Sequence, residues 1–264
     1  MTPTDPLAFV GDPPLWRPVA DEVHVSVAFT WDRDEGERLA AAWGHHYPMV
    51  RLGGPAFGDH PNGFTPGRYI KPGVTFTTRG CNRRCPWCLV PDLEGKLVEI
   101  PHFAPGYIIQ DNNLLQASRE HLTRVFAMLK TQRAAVFSGG LDARLLDDWV
   151  ADQLRGLTIK QLFLAADTDS QLAPLERAIK RLSFLPRYKI RVYTMIAYGG
   201  ETIEEAVERM EAVYQLGGVP FAQLYQPPDR YIKYSKPWRD LARTWSRPAA
   251  IAALHSPGGM SPAR

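Results

Sequence analysis

The chain has 264 residues, 45% apolar and 22% charged, a composition that excludes a disordered or fibrous protein. Its formal charge of +3 at pH 7 is too small to establish a nucleic-acid or membrane partner. No apolar run reaches the roughly 18 residues of a membrane span. The polar, proline-rich start from Met1 to Asp12 has no leader pattern, so a cytoplasmic protein built on one large α/β domain is expected.

Residues 1–73 read as a short βαβ-like extension. Val23–Phe29 is a strand, Glu35–Trp43 a helix and Met49–Leu52 a second strand. Gly53-Gly54-Pro55 then opens a glycine- and proline-rich stretch that runs to Gly73. The unit is too small for a domain of its own, so it is expected to pack on the core that follows.

That core spans 74–227. Six short apolar runs, Val74–Thr78, Tyr107–Gln110, Ala134–Phe137, Ile159–Ala166, Lys189–Ile196 and Val219–Tyr225, mostly lack two-residue alternation, as parallel strands covered on both faces do. Helical stripes fill most of the gaps. Leu122, Val125, Phe126 and Leu129 follow Ser118 as a cap, and Leu145, Leu146, Trp149 and Val150 form a second stripe. Leu172, Leu175, Ile179 and Leu182 form a third, and Ile203, Ala206, Val207, Met210 and Val213 a fourth. The fourth opens with the capping-box pattern Thr202-x-x-Glu205 and stops before Gly217-Gly218. The 18 residues between Cys88 and Tyr107 hold Pro91, Pro101 and Pro105, too few and too proline-rich for a crossover helix, so an irregular connection is expected. Six strands with right-handed crossovers make an open six-strand barrel or a wound sheet. In either, the working face lies at the carboxyl ends of the strands.

The tail, 228–264, is helical or irregular. Tyr225–Arg247 carries six Lys or Arg, two Asp and five Tyr or Trp. Basic groups interleaved with aromatics suit single-stranded nucleic acid. The low net charge favours instead a strap with its rings buried and its charges out.

The only three cysteines form one run, Cys81-Asn-Arg-Arg-Cys85-Pro-Trp-Cys88, directly after the first core strand. An odd, clustered set argues against a disulfide framework, and thiolates that stay reduced belong in a cytoplasmic setting. Three thiolates can hold three irons of a four-iron cluster and leave the fourth open. Zinc with a histidine such as His102 is the alternative, but structural zinc uses two spaced ligand pairs and no second pair exists. Arg79, Arg83 and Arg84 either offset cluster charge and meet an acidic electron donor or form a solvated basic loop.

With C-x3-C-x2-C after a first strand, five further strands, and Met195-Ile196-Ala197-Tyr198-Gly199-Gly200-Glu201-Thr202, the chain resembles the radical S-adenosylmethionine (SAM) superfamily over Pro72 to Pro227. In the last segment Ala197 and Gly199 replace the family's usual glycine and proline. Arg79-Gly80-Cys81 through Val90-Pro91 and Gly95-Lys96 looks most like the cobalamin-dependent and methylthiotransferase branches. The resemblance implies a partial (β/α)6 TIM-like barrel, a 4Fe-4S cluster on Cys81, Cys85 and Cys88, and SAM chelated at the open iron. It also implies a low-potential electron donor such as flavodoxin or ferredoxin. Reductive cleavage of SAM to a 5′-deoxyadenosyl radical, followed by hydrogen abstraction from an unidentified substrate, is the implied reaction.

The same resemblance suggests SAM contacts, each with a structural alternative. Trp87 matches an aromatic packed near the adenine, or it anchors the loop. Asp111, Asn112 and Asn113 close the second strand, where the family meets SAM's amino group with a Gly-Gly-Glu motif absent here; the alternative is a helix cap before Leu114. Ser138, Gly139 and Asp142 close the third strand as a ligand contact or a tight turn. Asp167 and Thr168 close the fourth, where the ribose is often met, with Asp169 and Ser170 as caps. Glu201 belongs to the strand-five turn, with capping the leading role. Methylthiotransferases need further cysteines, and no Asp-x-His-x-x-Gly cobalamin signature is present, although residues 23–57 resemble a shrunken remnant of such a domain. Two readings stand beside the enzyme: a metal- or nucleic-acid-binding module without catalysis, and a reduced cobalamin-type methyltransferase.

Overall fold

The computed structural model describes residues 3–57 and 68–256; residues 58–67 of the glycine- and proline-rich stretch expected before Gly73 lie outside them. In chain order the chain forms β1 (Val23–Ser26), α1 (Arg33–Gly44), β2 (Val50–Gly53), β3 (Val74–Thr75), β4 (Thr78–Arg79) and α2 (Val90–Glu94). Then come β5 (Val98–Glu99), β6 (Ile108–Ile109), α3 (Arg119–Lys130), β7 (Ala135–Phe137), α4 (Asp148–Arg155) and β8 (Ile159–Ala165). The chain closes with α5 (Leu172–Arg181), β9 (Ile190–Ile196), α6 (Ile203–Gln215), β10 (Val219–Leu224), α7 (Lys236–Trp245) and α8 (Pro248–Leu254).

Two compact units result. One is Met1–Val74 with Gly80–Lys96 and Gln226–Ile232; the other is Thr75–Arg79 with Leu97–Tyr225 and Lys233–Arg264. The first contains the expected βαβ element, in which β1 and β2 pair in parallel from Val23↔Val50 to Ser26↔Gly53. Its core gathers Val25, Val27, Trp43, Tyr47 and Ala56. The polar handles of its large rings find backbone acceptors, as buried aromatics require: Trp43 Nε1 donates to Gly11 O (3.1 Å) and Tyr47 Oη to Pro18 O (2.6 Å).

The second unit is organised by a six-strand all-parallel sheet, β3-β6-β7-β8-β9-β10, its strands side by side in the order they occur along the chain, with β4 and β5 set apart as their own pair. Crossovers that always step the same way gather helices on one face. On that face Ile109, Phe137, Leu162, Leu164, Ile190 and Val192 meet Leu122, Val125 and Phe126 of α3, Leu154 of α4 and Leu175 of α5. The other face carries a stack of rings. Phe163 lies flat on Tyr193 at 4.5 Å, and Phe221 meets Tyr193 edge-on at 5.6 Å. The five helix-facing aliphatics and these rings explain why the strands look apolar throughout rather than alternating.

Arg191 is buried among the rings, its guanidinium 5.1 Å from the Phe221 centroid. It donates to Ser246 O (2.9 Å) at the C-terminal end of α7, where a cation complements the helix dipole. Burial pulls its pKa down. Trp245 and Ile251, from α7 and α8, bury themselves against Ile196, Met210, Val219 and Ala222. Arg191→Met is therefore expected to loosen the C-terminal helices by about 1–3 kcal/mol, read as lost hydrogen-exchange protection over 236–254, because it strips the Ser246 carbonyl of its donor.

Caps set the helix boundaries. Ser118 accepts from His121 N (3.2 Å), and Thr202 and Glu205 form the complete capping box. One stripe is divided. Asp147 accepts from Val150 N (2.9 Å) and starts α4 there, so Leu145 ends a separate 3-10 turn at 143–145 and Leu146 links the two. Between Cys88 and Tyr107 there is no crossover helix. The five-residue α2, the short β5 and irregular chain fill that span.

Candidate functional site: the cysteine loop, and residues at the carboxyl edge of the sheet

The strands β4 and β5 pair antiparallel through Thr78↔Glu99 and Arg79↔Val98, with Ile100 N donating to Thr77 O (2.9 Å). The cysteine loop, residues 80–96, runs between these two strands in the sequence and belongs to the first compact unit. Inside the loop Cys81 N donates to Gly95 O (3.1 Å) and Gly80 N to Glu94 Oε2 (3.0 Å). Gly80 has φ +75°, and a Cβ there would stand 2.3 Å from Lys96 O, so the close crossing of the loop's base requires glycine.

All three cysteines are half-buried and none forms a disulfide. Cys88 N donates to Cys85 O (3.0 Å), closing the turn that holds Trp87, itself half-buried. Arg83 N points at the Cys81 sulfur (3.4 Å). Hydrogen bonds to sulfur are one of the levers that set cluster potentials. Arg79 lies with its guanidinium 4.9 Å from the Phe76 ring centroid.

Among the described residues, no three His, Cys, Asp or Glu side chains gather as ligands of one metal ion. A single tetrahedral ion with sulfurs about 2.3 Å away draws its thiolates to within about 4 Å of each other. A four-iron cube places each thiolate on its own iron and keeps the sulfurs further apart. Cys81, Cys85 and Cys88 place three soft sulfur donors on one loop, with the Arg83 backbone N–H on the Cys81 sulfur.

Parallel strands put all their carboxyl ends on one edge, and the other residues singled out in the sequence lie along it. Asp111, after β6, is 1% exposed. Its carboxylate accepts from Thr77 N (2.6 Å) and from the Thr77 hydroxyl. Burial pushes its pKa up, while hydrogen bonds from Thr77 and Thr78 pull the other way. It thus fastens the end of β6 to the segment that leads into the cysteine loop. Asn112 is half-buried; Asn113 is buried at the head of a 3-10 turn, 114–116, without a side-chain capping bond.

Ser138 donates to Gln110 Oε1 (2.8 Å), and its carbonyl accepts from Tyr193 Oη (2.8 Å). Gly139 passes directly over Asp111, where an added Cβ would stand 1.8 Å from the Asp111 carbonyl oxygen. Gly139→Ala is accordingly expected to cost about 3 kcal/mol or more, measured by thermal unfolding, since backbone must move to admit one methyl. Asp142 caps the turn at 143–145 and holds Arg144 in a fork (2.7 and 2.9 Å).

Asp167 accepts from Met195 N (2.9 Å), tying β8 to β9, and its own N–H donates to Gln171 Oε1 (2.6 Å). Thr168 contacts Ser170 through their hydroxyls (3.0 Å). Glu201 accepts from Ala197 N (2.7 Å) and pairs with Arg209, whose Nη2 also donates to Met195 O (2.8 Å). Ala197 has φ +64°, the only left-handed non-glycine residue among those described, so the turn after β9 is held against its local preference by that pair.

Sequence reasoning missed the two threonines that hold Asp111 and the Glu94 carboxylate on Gly80. The signal present was Thr75-x-Thr77-Thr78: three hydroxyls, all buried in the fold, in a run read as an apolar strand. It also missed Glu99, which accepts from Ser118 N (2.6 Å) and so binds the ladder to the head of α3. Among the described residues, no helix is long and apolar enough to cross a membrane. Set against protein-family models and curated proteins, the chain matches none.

Proposed function

We propose that the protein is a radical SAM enzyme whose core is a partial (β/α)6 barrel. The observation that carries this reading is the C-x3-C-x2-C loop rooted just after the first strand of a six-strand parallel sheet whose strands follow sequence order. Unreversed strand order and the ring stack of Phe163, Tyr193 and Phe221 support the barrel, since a barrel fills its interior with layered side chains.

Cys81, Cys85 and Cys88 would hold a 4Fe-4S cluster, which when reduced supplies the electron that cleaves SAM to a 5′-deoxyadenosyl radical. The chain's own part is positional. The Arg83 amide donates to the Cys81 sulfur, and Cys81 N donates to Gly95 O across the base of the loop. Trp87 and the groups at the carboxyl edge, Asn112, Ser138, Asp167 and Thr168, are the candidates for SAM. Asp111, Asp142, Asp167 and Glu201 each also accept from a backbone N–H and so hold backbone in place at that edge. A low-potential flavodoxin or ferredoxin is the proposed electron source.

Anaerobic reconstitution with SAM and a strong reductant tests the proposal. 5′-Deoxyadenosine is the expected product. S-adenosylhomocysteine would instead mark methyl transfer, and neither product in the reduced, SAM-loaded protein would overturn the enzyme assignment.

A further inference from the structure

A cavity of about 650 Å³ lies within the first compact unit, between the turn entering α1 and the segment that follows β10. It is independent of the cysteine loop and of the reading built on it. Trp31 and Tyr231 form its aromatic walls, with ring centroids 5.8 Å apart and planes tilted by 54°. Phe29 stacks on Trp31 at 4.8 Å and 7°, fixing the indole. Phe29 is 53% exposed and Tyr231 63% exposed, so these two rings face water instead of a core, and Trp31 between them is half-buried.

The charges around the rings are unbalanced. Asp32, Asp34 and Asp229 border the cavity with Arg33 and Arg230. Arg33 turns away: its Nε donates to Ala56 O (2.8 Å), and its guanidinium lies over Phe57. Arg230 pairs with Asp229 at 3.5 Å. Among the described residues, Asp32 and Asp34 make no ion pair, and Asp32 makes no capping bond to α1. The Thr30 hydroxyl, also at the cavity, is buried and has no hydrogen-bond partner among the described residues. A place in the first turn of α1 accounts for the carboxylates, through the helix dipole. It does not account for the rings or the unused hydroxyl.

Ring faces attract cations, and carboxylates neutralise them. An anion would meet uncompensated carboxylates, and a neutral apolar ligand would leave them unused. We infer that this cleft binds an organic ammonium ion, its alkyl groups against Trp31 and Tyr231 and its charge offset by Asp32 and Asp34. The head group belongs to a free amine or to a methylated lysine of a peptide.

The test follows the Trp31 indole N–H resonance of the full chain, assigned by its loss in Trp31→Phe. Three probes are titrated: trimethylammonium, its neutral near-isostere tert-butanol, and a peptide bearing dimethyllysine. A saturable shift with trimethylammonium and none with tert-butanol is expected. Binding followed by calorimetry is expected to weaken about tenfold in Trp31→Ala. It is expected to weaken several-fold in Asp32→Asn/Asp34→Asn, a surface change that keeps the fold and covers the case in which Trp31→Ala does not. Tighter binding of the peptide than of the free amine assigns the lysine source, and the reverse assigns a small amine. No saturable shift, an equal response to tert-butanol, or binding unchanged in the double variant overturns the inference.

Discussion

Replacing Cys81, Cys85 or Cys88 singly by serine is expected to abolish SAM cleavage. Iron should fall from about four per chain toward zero, with loss of the brown colour. Three thiolates are the minimum that leaves one iron open, and the chain contains no fourth cysteine to substitute. A serine hydroxyl is a hard, weakly acidic donor that does not replace thiolate on iron. The sulfurs are half-buried on a loop and outside the apolar cores of both units. The apo forms of these variants should therefore unfold within about 0.5 kcal/mol of apo wild type. Iron and activity lost at unchanged apo stability separates ligand loss from misfolding. Iron retained at wild-type level in all three variants would remove the cysteines from the metal centre.

Asp111→Ala is expected to destabilise the protein by about 3 kcal/mol, measured by denaturant unfolding. It leaves the Thr77 amide and hydroxyl without acceptors in a buried site, at about 1–3 kcal/mol for each orphaned group. Asp111→Asn keeps one acceptor oxygen and should cost about 1 kcal/mol. The pair also predicts a pH signature. Burial raises the Asp111 pKa from its ordinary 3.8. Above that ordinary value the native state holds the proton more tightly than the unfolded chain, so this contribution is full below about pH 4 and is lost as pH rises through the native pKa. Wild type should thus lose stability relative to Asp111→Asn as pH climbs from about 4. A difference that stays flat, or grows in wild type's favour, would show that the native carboxyl is not raised.

The helical and strand content was legible where local chemistry decides it. Thr202 and Glu205 announce their capping box in four residues, and Ile190–Ile196 and Val219–Leu224 are apolar runs too short for helices. Asp147 was overlooked because a stripe of Leu145, Leu146, Trp149 and Val150 keeps helical spacing across the cap that interrupts it. The site was legible as a motif and opaque as an arrangement. The cysteines lie together in sequence, whereas the β4–β5 ladder that flanks their loop in the sequence is two residues long on each side, below any periodic signal. Asp111 reads as a ligand contact or a cap, yet its partners are 34 residues away. Gly139 reads as room for a ligand, yet the space it leaves is filled by the Asp111 backbone. Both are tertiary contacts between strand ends, fixed by sheet register and not by neighbouring residues.

The most direct measurement is electron paramagnetic resonance on the anaerobically reconstituted, reduced protein, with iron and sulfide quantified, before and after SAM is added. The account predicts about four irons and four sulfides per chain and a reduced-cluster signal that changes when SAM occupies the open iron. A protein that takes up zinc and no iron, or a cluster whose signal is indifferent to SAM, would contradict it.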